Sequence, residues 1–125
     1  MVKRRPGRLL PLEVTILEAG LQVQAEEDSF YGFALVRRIA EREGGPQIGH
    51  GTLYRALSRL TTAGFLDATW EEPEVAEADG RPRRRLYCVT GEGEVALSAE
   101  RSALRAEAAA AATSAAPARQ GVVLP

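Results

Sequence analysis

The feature that most narrows what this chain can fold into is a late change in its hydrophobic period. Apolar residues recur at helical spacing in three successive segments up to Ala63. From Phe65 the pattern becomes short and alternating, first through Thr69 and Trp70, then through Leu86, Tyr87 and Val89. A helical pattern returns after Thr90. A period of about 3.6 marks an amphipathic helix and a period of 2 a half-buried strand. Only a few small folds place a single hairpin between a run of helices and a last helix.

The first helix is predicted from Leu9 to about Gln24, with Leu9, Leu12, Ile16 and Leu17 on one face. Glu26-Glu27-Asp28-Ser29 breaks it, and Asp28 or Ser29 suits the N-cap of the next helix. That second helix is expected from about Phe30 to Glu43, with Phe33, Val36, Ile39 and Ala40 buried and Arg37, Arg38 and Arg42 outward. Gly44-Gly45-Pro46 should stop it. The third helix runs from Gly51 or Thr52 to Ala63, with Gly64 after its end. Leu53, Leu57 and Leu60 share one side, whereas Arg55, Ser58, Arg59 and Thr62 share the other. Strands are expected from Phe65 to Glu71 and from Arg84 to Thr90, joined by a long tip with the Asp79-Gly80 turn signal. Thr90 caps a fourth helix over residues 91–112, where the closing alanines favour helix. The order is that of a winged helix-turn-helix: mostly α with a small β-hairpin, followed by a C-terminal helix. The reading divides the chain into a basic arm (1–8), a winged helix-turn-helix domain (9–90), a terminal helix (91–112) and a frayed tail (113–125).

Bulk charge argues against a nucleic-acid partner, since 16 Lys plus Arg face 17 Asp plus Glu, for a net charge of −1. The distribution reverses that inference. Lys3, Arg4, Arg5 and Arg8 stand without an acid among them, and so do Arg81, Arg83, Arg84 and Arg85. Glu71 to Asp79 carries acids only, and no acid at all lies between Ile48 and Leu66. A helix with one leucine face and one face of Arg, Ser and Thr packs inward while it presents donors outward.

Other chemistries find little support. With 1 Cys and 1 His, neither an internal disulfide nor an ordinary zinc site can form. No Ser-His-Asp set extends beyond His50, and no Gly-rich phosphate loop follows a strand. The chain is therefore expected to be no enzyme and to need no cofactor and no metal. No apolar run suits a membrane span or a signal peptide, which leaves the cytoplasm as the expected location.

Tyr31-Gly32-Phe33-Ala34-Leu35, Gly51-Thr52-Leu53-Tyr54-Arg55-Ala56-Leu57 and Arg59-Leu60-Thr61-Thr62-Ala63-Gly64-Phe65-Leu66 follow one another at preserved spacing. Gly80-Arg81-Pro82-Arg83-Arg84, Tyr87, Thr90 and Gly93 complete the pattern. Over Leu9 to Leu97 the sequence resembles the PadR-like bacterial transcriptional regulators, in their short form with one C-terminal helix. The resemblance implies a regulator of double-stranded DNA, with Tyr54 at the DNA face. It also implies a homodimer formed through the last helix and part of the first. Leu86 and Cys88 depart from the family's usual Tyr and Arg, and the wing is longer and more acidic. Some relatives bind planar drugs beside a Trp of the last helix; this chain has no aromatic there.

The expected DNA contacts follow from groove geometry. A B-DNA major groove admits one helix, whose first residues reach the base edges. Those residues are His50, Gly51, Thr52, Tyr54 and Arg55, with Ser58 and Arg59 a turn later; Arg55 suits a guanine and Arg59 a phosphate. Arg81, Arg83 and Arg84 suit the minor groove, and Lys3, Arg4 and Arg5 suit further phosphates. Leu9, Leu12, Ile16, Val95, Leu97, Leu104 and Ala108 are the expected dimer contacts. Simpler roles compete: His50 as a helix-start residue, Tyr54 as half-buried core, Cys88 and Trp70 as core, and Glu71–Asp79 as a solvated loop. The leading expectation is a repressor on a palindromic operator, with room for a small-molecule effector in the dimer core. The alternative is a winged-helix module that binds protein or senses a ligand and holds DNA weakly.

Overall fold

The computed structural model describes residues 5–41 and 48–123, with side chains up to residue 113. Lys3, Arg4 and the Gly44-Gly45-Pro46 stop lie outside the described residues.

Helix α1 spans Pro11–Glu27, with Pro11 in the first turn, where its missing N–H costs nothing. The Glu13 carboxylate accepts the Leu10 N–H at 2.8 Å. Ile16, Leu17, Ala19 and Val23 are buried along the helix. Asp28 ends it in the left-handed region at φ 68, its N–H returning to the Gln24 carbonyl at 2.8 Å.

The chain next departs from the expected second helix. Phe30–Tyr31 form strand β1, and α2 covers Gly32–Glu41. The two strand residues shift the helical phase, so Leu35 and Ile39 face the core, whereas Phe33 is 56% exposed and Ala40 is at the surface. Phe30 is buried instead and stacks on Tyr87 with ring centroids 5.9 Å apart. Gly20 makes this possible, since a Cβ there would lie 2.7 Å from the Phe30 ring.

Helix α3 covers His50–Thr62 and buries Leu53, Ala56, Leu57 and Leu60, in agreement with the predicted leucine face. Gly64 at φ 85 reverses the chain, and the Phe65 N–H closes on the Leu60 carbonyl at 2.9 Å. Strands β2 (Leu66–Trp70) and β3 (Arg85–Val89) then make the antiparallel wing, with β3 between β1 and β2. Leu66 pairs with Val89, Ala68 with Tyr87 and Trp70 with Arg85, so these residues share one sheet face. The tip is not an open loop. Pro73–Ala78 form a short helix, α4, with Pro73 and Glu74 in a first turn that favours both.

Helix α5 runs from Gly91 to Val123, beyond the boundary expected at residue 112. It thus takes in residues 113–123, which the sequence reading places in a frayed tail. Thr90 caps it as predicted, its hydroxyl accepting the Gly93 N–H at 3.0 Å. A Cβ on Gly93 would run into the Phe65 carbonyl, which shows how tightly the first turn seats. The start of α5 is part of the core rather than an appendage: Leu97 in its second turn is buried, and so is Glu100 in the third.

Glu100 needs compensation for its burial and has it. Arg8 grips it through Nε at 3.0 Å and Nη2 at 2.9 Å, and the Leu9 N–H donates at 2.8 Å. Arg8 also reaches Glu107 at 2.7 Å. The Arg8 guanidinium holds both carboxyls below their ordinary range. A carboxyl lowered on folding adds stability above its unfolded pKa and loses it as pH falls. The midpoint of thermal unfolding should therefore hold steady from neutral pH to about 5 and drop steeply below about 4. Calorimetry across that range checks this, and Glu100→Gln should flatten part of the acid limb.

Candidate nucleic-acid interface

Helix α3 presents an outer face free of acids. His50, Gly51, Thr52, Tyr54, Arg55, Ser58 and Thr62 are all exposed. Arg55 turns one guanidinium nitrogen toward the Thr52 hydroxyl at 3.3 Å and forms no ion pair with a described carboxylate. Tyr54 is 44% exposed and rests on α2, where a Cβ on Gly32 would lie 2.5 Å from its hydroxyl. The His50 and Tyr54 rings stack at 6.4 Å. Tyr54 thus has its back on the helix-turn-helix and its edge in solvent. Arg59 is half-exposed on the same face and also reaches inward. Its Nε is shielded from solvent and stands 3.5 Å from the buried Glu13 carboxylate, so it ties α3 to α1.

The wing sorts its arginines by partner. Arg81 is bound to Glu71 through both terminal nitrogens, at 2.5 and 3.0 Å, and to Asp79 at 3.2 Å. This pairing holds the Glu71 carboxyl low and the Arg81 guanidinium high. Glu71 also accepts the Arg84 N–H at 3.3 Å, so the start of the acidic block is a clasp rather than a solvated loop. Arg84 lies 4.2 Å over the Tyr31 ring. Arg83 and Arg85 instead approach the Trp70 ring, at 5.6 and 5.0 Å. Trp70 is 55% exposed, not core. Its register places it and Arg85 on the sheet face that carries Tyr87 and Leu66, the side on which α3 packs.

Arg85 and Trp70 were not among the predicted contacts. The signal is present, since residues two apart on a strand share a face, and that links Arg85 to Tyr87. Arg5 is exposed. The expected dimer residues divide. Leu9, Ile16 and Leu97 are buried in this chain's own core and Leu12 is half-buried, whereas Val95, Leu104 and Ala108 are at the surface. Cys88 is half-buried; its thiol donates to the Asp28 carbonyl at 3.3 Å, and burial pushes its pKa up. That favours the inert thiol. Among the described residues no trio of His, Cys, Asp or Glu gathers around a metal-sized space. No described helix is long and apolar enough to cross a membrane.

A helix-turn-helix whose third helix shows an acid-free face beside a basic β-wing is a winged helix-turn-helix, a DNA-binding class. Solved structures share the fold. A transcriptional regulator from Clostridium thermocellum aligns over 82% of this chain and 90% of its own, at 20% identity and a TM-score of 0.64. A PadR family transcription regulator from Clostridium difficile R20291 aligns over 75% and 86%, at 21% identity and a TM-score of 0.60. A PadR family transcriptional regulator from Eggerthella lenta aligns over 82% and 85%, at 25% identity and a TM-score of 0.59. No curated protein sequence matches the chain. The model of the transcriptional regulator PadR-like family matches residues 21–99, and the chain belongs to that family. It is a DNA-binding transcriptional regulator and not an enzyme.

Proposed function

We propose that the protein is a repressor that binds a palindromic operator as a homodimer. The carrying observation is the exposed, acid-free face of α3, with Arg55 unpaired by any described carboxylate at its N-terminal end. The start of α3 enters the major groove, where Thr52 and Arg55 meet base edges and Arg55 grips a guanine. His50, Gly51, Tyr54 and Ser58 line the groove walls. Arg83 contacts the backbone from the wing, and Arg5, with Lys3 and Arg4, adds phosphate contacts. Arg59 adds a phosphate contact while its Nε leans on Glu13, and Arg81 and Arg84 support the wing through Glu71 and Tyr31. Exposed Val95, Leu104 and Ala108 on α5, with Leu12 of α1, meet a second copy across a two-fold axis. A dimer on promoter DNA occludes polymerase, and an effector in the dimer core lowers affinity by changing the spacing of the two heads.

Selection of bound DNA from a random pool tests this. The expected product is an inverted repeat with half-sites about one helical turn apart, roughly 34 Å. Enrichment of no sequence, with binding that vanishes at modest salt, would leave only non-specific electrostatic attraction.

A further inference from the structure

Between α3 and the sheet lies an open cleft of about 200 Å³, lined by Tyr54, Ser58, Thr61, Thr62, Ala68, Arg85 and Tyr87. Its lining is unusual in composition. It has no carboxylate, and its one charge is the Arg85 guanidinium. Thr61 turns its hydroxyl back to the Leu57 carbonyl at 2.8 Å. Ser58 and Thr62 are exposed in this lining, and no hydrogen-bond partner is described for their hydroxyls. Arg85 forms no ion pair with a described carboxylate, unlike Arg81 in the same wing. It lies instead 5.0 Å over the Trp70 ring, which limits the directions its fork can take. A cation on an aromatic face keeps its N–H edge free for an oxyanion, and Arg with hydroxyl donors suits phosphate oxygens.

We infer that this cleft seats one DNA backbone phosphate, held by Arg85 and by the hydroxyls of Ser58 and Thr62, with Tyr54 as a wall and Trp70 as the positioning residue for Arg85. The inference rests on the DNA-binding reading and adds to it a specific anchor. The cleft joins the recognition helix to the wing, so a phosphate held there fixes how far α3 rotates in the groove. Phosphate contacts set register without reading sequence.

The test is fluorescence anisotropy with the selected operator and with random-sequence DNA, at several salt concentrations. Arg85→Ala should weaken both about tenfold, the scale of one charge-assisted contact. It should also make the slope of log K against log salt shallower by about 0.9, the value for one phosphate, with the operator-to-random ratio unchanged. Trp70→Ala keeps the charge and should cost a smaller factor with the slope nearly intact. A neutral methylphosphonate scanned along the operator should reveal one position that weakens the natural protein and leaves Arg85→Ala unaffected. An Arg85→Ala protein of unchanged melting temperature that keeps the full affinity and salt slope would overturn the assignment. Loss of the operator-to-random ratio in Arg85→Ala would overturn it too, by making Arg85 a base reader. A natural protein that selects no sequence refutes the operator reading instead, and the salt slope on random DNA still decides Arg85.

Discussion

Arg55→Ala should lower affinity for the operator by roughly tenfold to a hundredfold, while binding to random DNA falls only a few-fold. The difference comes from what each side chain reads. A bidentate Arg–guanine pair discriminates by about 1–3 kcal/mol, whereas loss of a charge near the backbone weakens every sequence alike. Arg55 is placed for the first role: it lies in the second turn of α3, exposed, with Thr52 as its nearest side-chain partner. A repeat of the DNA selection with the variant gives the sharper readout. One position of the half-site should lose its preference for guanine and the others should keep theirs. Equal losses on operator and random DNA would make Arg55 a phosphate contact. Arg59→Ala is the natural contrast. Arg59 leans on Glu13, so its removal should appear first as a lower unfolding temperature, with the base preferences retained.

Sequence periodicity located α3 well because a helix buried along one side repeats its apolar residues on that side. Leu53, Leu57 and Leu60 could have no other phase, and the structure buries all of them. The same logic failed at Phe30. A helix that runs back over the two residues of β1 takes the wrong phase, which places Phe33 and Ala40 in the expected core and leaves out Leu35, although Ile39 is buried as expected. Phe30 and Tyr31 are too few to show a strand period; only their pairing with Tyr87 and Leu86 makes them β1. Trp70 was misplaced for another reason. It lies on the core face of its strand, but the sheet there runs out past the helices that cover Leu66. Charges were visible in the sequence, but their partners were not. Arg8 finds Glu100 across 92 residues, and Arg81 finds Glu71 only once the wing has closed. The candidate surface is accordingly smaller than a count of arginines suggests, and it includes Arg85, which such a count does not distinguish.

The proposed dimer carries the largest expected effect, and Leu104 is where to probe it. Leu104 is 45% exposed and belongs to no part of the described core, so Leu104→Glu should leave the unfolding temperature nearly unchanged. Across a two-fold axis the substitution enters the proposed seam twice, once from each protomer, which puts two charges in a partly desolvated apolar contact. Light scattering should then report a dimer for the natural protein and a monomer for the variant at the same concentration. The effect on DNA is larger than any single contact, since two linked heads bind an inverted repeat with a high effective concentration for the second half-site. Losing that linkage should weaken operator binding by about 10²–10⁴-fold, while affinity for an isolated half-site stays the same. Leu97→Glu cannot serve the purpose, because Leu97 is in the protomer's own core and would report unfolding. A Leu104→Glu protein that remains dimeric with full operator affinity would move the interface off this face of α5. A natural protein that is monomeric at tens of micromolar and still selects an inverted repeat would place assembly on the DNA itself.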